Sequence, residues 1–227
     1  MIKYHYDTIQ GSQEWLDLRC GLLTASEMKF IITPSKLEYS KAEKSFSHLL
    51  ELTAQRITKY VEPHYVGDDM LRGRDDEVDA KVKYEEKYGA VRDCGFIVND
   101  KWGFPIGYSP DGLIGDDGLM ECKGRRSKFQ LDTIVEMKMP EEFLLQVQTG
   151  LLVSERKWLD FVSYCGGMHM FVLRIYPDLK IHNAIVNAAT IFDKQSKELM
   201  EKYRARLSNK ELRLVPTERR IEKKITL

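Results

Sequence analysis

The chain has 227 residues, 43% of them hydrophobic and 31% charged, a profile that excludes a disordered or fibrous chain and suits one globular domain spanning residues 1–227. Its 35 Lys and Arg cancel its 35 Asp and Glu, so no global field draws it to nucleic acid or to a membrane, and any such attraction must be local. Cys20, Cys94, Cys122 and Cys165 stand far apart, and MIKYHYDTIQGSQEW lacks a signal-peptide core; the expectation is a soluble protein of a reducing cytoplasm, without zinc ligation or membrane insertion.

Ser40 and Glu43 form a capping box, and Phe46, Leu49, Leu50, Thr53, Ile57 and Tyr60 recur at helical spacing, which predicts a helix over 41–60 with a core-facing stripe. A second helix over 69–88 carries Leu71, Val78, Val82 and Tyr88 among many acids and stops at Gly89, a residue suited to a left-handed C-cap. The period then changes. VRDCGFIV, FPIGYS and LMECKG are short β-prone runs separated by turn residues, as in consecutive strands of a small sheet. Pro140, followed by Glu141 and Glu142, opens a helix with Phe143, Leu144, Val147 and Leu151 on one side. Two strands, KWLDFVSYC and MHMFVLRIY, join through Gly166 and Gly167, and a long helix covers about 188–207. The tail, 201–227, holds nine Lys or Arg against four Glu. No repeat or linker divides the chain, so the reading is one α/β domain with helices flanking a mixed central sheet.

The stretch SPDGLIGDDGLMECKG, residues 109–124, raises the chemical question. In a strand begun by Leu119, alternation puts Glu121 and Lys123 on one face. Asp111 sits upstream beside a turn, and a chain that doubles back after Gly112, with Gly115 and Gly118 easing the bend, brings two carboxylates and an ammonium together. Hard cations such as Mg²⁺ or Mn²⁺ choose carboxylate oxygens and keep several waters. Asp111 and Glu121 suit that role, with the Cys122 backbone carbonyl a third ligand. Lys123 beside them could orient or help deprotonate a water, completing a minimal site for phosphodiester hydrolysis. The same spacing also describes a solvated hairpin; the glycines at the bend and the basic row Arg125, Arg126 and Lys128 beyond it favour the site.

SPDG followed by ECK is the PD-(D/E)xK nuclease pattern, and its surroundings resemble the lambda exonuclease and YqaJ-type viral recombinase family of phage alkaline exonucleases. WLDLRCGLLTASE (15–27), RGRDDEVDA (72–80), SPDG, ECK and LQVQTGL (145–151) follow in that family's order. The resemblance implies a restriction-endonuclease-like fold and a Mg²⁺-dependent exonuclease, with Mn²⁺ a substitute. It also implies digestion of one strand of linear double-stranded DNA from its 5′ end to mononucleotides, with the 3′ overhang passed to a single-strand annealing protein, and assembly as a homotrimer. It makes Asp111, Glu121 and Glu77 metal-site carboxylates, Lys123 the water-activating lysine and Gln146 a supporting side chain. Arg19, Ser26 and Ser109, with Thr24, would hold the 5′-phosphate; an Arg fork with hydroxyl donors suits a terminal phosphate.

Each residue also has a plainer reading. Arg19 fits a surface position on an amphipathic helix, Ser26 an N-cap, Gln146 an ordinary helix position, His169 a strand and Trp15 the core. Glu77 competes with Asp75, Asp76, Asp79, Glu85 and Glu86. Two departures stand out: Gly124 and Arg125 occupy positions where many relatives have Cys-Pro, and Arg72 one where Trp is common. Three rival functions remain: an iron-sulfur nuclease of the same fold, for which the cysteines lack clustering; an endonuclease; and a catalytically silent DNA-end-binding module, in which two phosphate-repelling carboxylates would have no purpose.

Overall fold

A computed structural model describes residues 1–63 and 67–219, with the side chains of residues 68–70 and 74 left aside. In chain order the elements are β1 (Ile2–His5), α1 (Gln13–Arg19), β2 (Leu23–Thr24), a 3-10 turn (Ala25–Glu27), α2 (Met28–Ile31), β3 (Ile32–Thr33), β4 (Glu38–Tyr39) and α3 (Glu43–Thr58). Then come α4 (Asp68–Tyr88), β5 (Phe96–Asn99), β6 (Ile106–Tyr108), β7 (Gly112–Ile114), β8 (Gly118–Gly124) and α5 (Ser127–Glu136). After a 3-10 turn at Glu141–Phe143 follow α6 (Leu144–Ser154), β9 (Trp158–Tyr164), β10 (Phe171–Ile175) and α7 (Leu179–Leu207). Among the described residues no helix is long and apolar enough to cross a membrane.

The strands form two four-stranded sheets, ordered β1-β5-β6-β2 and β10-β9-β8-β7, and a small β3-β4 pair. The three β-prone runs therefore divide between sheets rather than sharing one: β5 pairs with β6, whereas β7 and β8 pair with each other. An isolated bridge between Arg92 and Leu113 lies outside these ladders. The second sheet is mixed, because β8 runs parallel to β9 and antiparallel to β7.

Alternation along β8 sets the layers. Leu119 joins the main core with Leu145, Val147 and Phe161, while Met120 and Cys122 pack with Ala80, Tyr84 and Val162 in a second cluster. The sheet is thus covered by α6 on one face and α4 on the other, both apolar, which buries β8 on both sides. Burying a side chain such as Phe161 contributes roughly 2–3 kcal/mol. A buried polar tie pins α4 to the sheet: the Tyr84 hydroxyl donates to Asp160 Oδ2 at 2.6 Å, and Arg174 forks onto the same carboxylate at 2.8 and 2.9 Å.

Several local expectations are corrected. Ser40 does not cap α3; Ala42 is the N-cap and the Ser40 hydroxyl accepts from Ala42 N–H instead. On α3, Leu49 and Leu52 are buried while Phe46 and Leu50 face out. On α4 the bounds nearly match, but Leu71, Val78, Val82 and Tyr88 are exposed, and Ala80 and Tyr84 form the buried face. Gly89 is the C-cap of α4 with a positive φ of 115°, which favours glycine, but its ψ of 173° lies outside the left-handed helical region. The last helix begins at Leu179, because the Asp178 carboxylate accepts from the N–H groups of Lys180 and Ile181. His169 precedes β10 instead of lying in it. Residues 220–227 of the basic tail lie outside the described residues.

On α7, burial holds His182 below the usual imidazole range; the backbone at Gln148 and the Asp178 charge oppose this, and Lys101 reinforces it. The unfolded chain then takes a proton at pH values where the folded chain resists it. Stability from this group is complete above about pH 6.5 and lost as pH falls below that value. Thermal melting near pH 7.5 and 5.5 should show a smaller acid-induced loss in His182→Gln than in the parent; equal losses would contradict the assignment.

Candidate active site

Asp111 lies in the turn between β6 and β7, and its Oδ2 accepts the Cys122 N–H at 2.6 Å. That bond ties the turn to β8, which carries Glu121 and Lys123 on the face toward α6. Glu121 is 1% exposed and receives three donors. Lys123 Nζ meets Oε1 at 2.7 Å, Gln146 Nε2 of α6 meets the same oxygen, and the Tyr108 hydroxyl reaches Oε2 at 2.8 Å. The chain reversal and strand alternation therefore bring together Asp111, Glu121 and Lys123, and α6 adds Gln146.

The charges act on one another strongly. Burial, then the neighbouring Glu121 and Glu77, push the Asp111 carboxyl well above its ordinary range. Burial pulls Lys123 down, but Glu121, Asp111 and the hydrogen bond to Glu121 more than offset it, so its pKa is raised and the ammonium stays charged. Burial chiefly, with Glu121 and Asp111, raises the Tyr108 phenol well above its usual value, keeping it a donor. Among the described residues no three His, Cys, Asp or Glu groups gather closely enough to hold an ion unaided. The buried Glu121 and the half-buried Asp111 beside it do, however, match the donor set of a hard cation retaining waters and substrate oxygens.

Arg19 closes the other side. Its guanidinium lies 4.3 Å from the Trp15 ring centroid and donates to Thr24 Oγ1 at 3.1 Å. The Thr24 hydroxyl donates to Glu27 at 2.6 Å and, as N-cap of the Ala25–Glu27 turn, anchors that turn. Thr24 thus orients Arg19, while Ser26 lies inside the turn and is not its cap. Trp15 is not simply core: its indole N–H donates to Ser109 Oγ at 2.8 Å. Arg19, Ser26, Ser109, Asp111, Glu121, Lys123 and Gln146 line a single cavity of about 180 Å³, along with Gln10, Trp15, Ala25 and Tyr108. A neighbouring groove of about 590 Å³ shares Gln10, Trp15 and Asp111 with it and is lined by Glu77 from α4.

Of the acids on α4, Glu77 therefore faces the site. Asp76 instead packs beside Gly124, where an added Cβ would stand 2.5 Å from its Oδ2. Arg125 N–H donates to the Tyr164 carbonyl at 2.7 Å, a bond a proline there could not make. The Gly124-Arg125 departure thus extends the strand path and admits Asp76. Arg125 is not a free phosphate contact, since its guanidinium lies between Phe129 and Phe143, at 5.1 and 5.2 Å, and pairs with Glu142 at 3.0 Å. Lys128 is exposed and sits 4.6 Å over Phe129. Tyr108 and Trp15 were missed as site residues. Tyr108 directly precedes the SPDG motif, and both can donate a hydrogen bond, which was the available signal.

A two-face-buried mixed sheet presenting Asp, Glu-x-Lys and a helical glutamine to one cavity defines the restriction-endonuclease-like class, the PD-(D/E)xK nucleases. The description "YqaJ-like viral recombinase domain" matches residues 14–157, and the chain belongs to that family. No curated protein matches it. Among solved structures it is similar to an alkaline exonuclease from Laribacter hongkongensis, with 29% identity and a TM-score of 0.73 over 87% of this chain and 100% of the other. That enzyme in complex with dAMP gives 30% identity over the same shares and the same score. A phage-related exonuclease from Haemophilus somnus 129PT, 10% identical with a TM-score of 0.59 over 80% of this chain and 96% of that one, shares the fold.

Proposed function

We propose that this chain is a Mg²⁺-dependent 5′ to 3′ exonuclease that digests one strand of linear double-stranded DNA to mononucleotides. It leaves a 3′ single-stranded overhang for recombination by strand annealing. The observation that carries this reading is the single small cavity lined by both Arg19, Ser26 and Ser109 and by Asp111, Glu121 and Lys123. A phosphate gripped at one wall lies next to the hydrolytic groups at the other, which suits removal of a terminal nucleotide better than cutting within a long duplex. The dAMP complex of the Laribacter relative fits a mononucleotide product.

In this reading Asp111, Glu121 and the Cys122 carbonyl hold the metal, with Glu77 supporting it across the groove. Bound Mg²⁺, or Mn²⁺ in its place, supplies Lewis-acid stabilisation of charge on the phosphoryl oxygens. Lys123 orients the attacking water and offsets charge on the phosphate. Gln146 restrains Glu121, and Arg19 with the two serine hydroxyls sets the register of the strand end. A homotrimer around the duplex, a single-strand annealing partner and a cytoplasmic location complete the proposal.

The test compares acid-soluble nucleotide release from linear and closed circular duplexes, with Mg²⁺ or with EDTA. Digestion of the linear form alone, lost in EDTA, is the expected result. Cutting of circles would mark an endonuclease, and no metal-dependent cutting at all would mark a silent end-binding module.

A further inference from the structure

We propose that Tyr108 is a positioning residue for the metal site: its hydroxyl holds Glu121 Oε2 back in the core, so that Oε1 is the oxygen offered to the cavity. The inference rests on the nuclease reading above, in which Glu121 is a metal ligand.

The two oxygens of Glu121 have different partners. Among the described residues, Oε1 takes Lys123 and Gln146, while Oε2 takes only the Tyr108 hydroxyl, at 2.8 Å. Lys123 keeps 23% side-chain exposure and Gln146 is half-buried, so both have room to give way when Oε1 gains another partner. Tyr108 borders the same cavity, but its ring is held fast. It is 1% exposed, its strand pairs with β5 through Ile97, and its ring lies against α6 at Gly150, where an added Cβ would stand 2.7 Å from the ring Cζ. A phenol locked in this way keeps its bond to Oε2 and stops the carboxylate from exchanging its two oxygens. The segment Tyr108-Ser109-Pro110-Asp111 then delivers three functions at once: the clamp on Glu121, a hydroxyl of the phosphate pocket and the second carboxylate. Gly150 fits the same account, because a glycine there is what lets the ring approach the helix backbone.

Tyr108→Phe keeps the ring and removes the clamp. The readouts are Mn²⁺ binding to the full chain, followed by loss of the free-ion EPR signal, and thermal melting. The variant is expected to melt within a few degrees of the parent yet bind Mn²⁺ about tenfold more weakly, the usual cost of losing a hydrogen bond to a ligating carboxylate. The Mg²⁺ concentration for half-maximal digestion should rise by the same factor, while binding of 5′-phosphorylated DNA in EDTA stays unchanged. Gly150→Ala, which pushes the ring, should weaken Mn²⁺ binding in the parent and add nothing to Tyr108→Phe; it gives a second readout should the first variant fold poorly. Parental Mn²⁺ affinity in Tyr108→Phe, or in Gly150→Ala if the first variant does not fold, overturns the proposal whatever the melting temperature. A parent that binds no Mn²⁺, or whose binding survives Glu121→Ala, overturns the metal site itself and this proposal with it, so the two failures are distinct.

Discussion

Lys123→Ala is expected to slow phosphodiester hydrolysis by about a thousandfold or more, within the range for loss of a positioned proton-handling group, and to leave DNA-end binding in place. The ammonium stands 2.7 Å from Glu121 Oε1, and its raised pKa keeps it charged at neutral pH. Its removal takes away the only cation bonded to Glu121 among the described residues, but Tyr108 and Gln146 still hold that carboxylate. Arg19, Ser26 and Ser109 make no bond to Lys123, so the grip on the strand end should persist. Single-turnover digestion alongside a gel-shift titration in EDTA separates these effects. Digestion at the parental rate would remove Lys123 from the chemistry.

Arg19→Ala should cost the enzyme its preference for phosphorylated ends by about 10- to 100-fold, the worth of hydrogen bonds to a charged group. The guanidinium is oriented before any substrate arrives, stacked on Trp15 and bonded to Thr24, and burial lowers its pKa despite Glu27 nearby. A partly desolvated, fixed fork is suited to a terminal phosphate, which carries more charge than a diester. Arg19→Lys is therefore expected to restore little of the preference, because an ammonium lacks the planar fork. Rates on 5′-phosphate and 5′-hydroxyl ends, measured side by side, supply the check. A parent that digests both ends equally would contradict the pocket assignment.

The cluster of two carboxylates and a lysine was legible because it is local. Asp111, Glu121 and Lys123 lie within one hairpin, where turn glycines and strand alternation decide which side chains meet. Glu77 and Arg19 needed the family pattern, since their neighbours in space come from distant parts of the chain. What stayed hidden was set by tertiary packing. The apolar residues of α4 pointed to the wrong face because the helix is fixed by small Ala80 and by the Tyr84–Asp160 bond, which hydropathy does not register. The split into two sheets follows from the parallel pairing of β8 with β9, across the intervening α5 and α6, and short-range turn signals carry no record of such pairing. Arg125 read as a phosphate contact, but two aromatic rings and Glu142 claim it. Trp15 read as a core residue and Tyr108 only as part of a β-prone run, and it is their polar ends that organise the site.

The direction of digestion is the most direct test of the account. Two preparations of one linear duplex, labelled on the 5′-phosphate or at the 3′ end, are followed through the first turnovers in Mg²⁺. The account predicts that the 5′ label appears at once as a mononucleotide while the 3′ label stays in long single strands. Early release of the 3′ label, or recovery of the 5′ label in oligonucleotides, would contradict it.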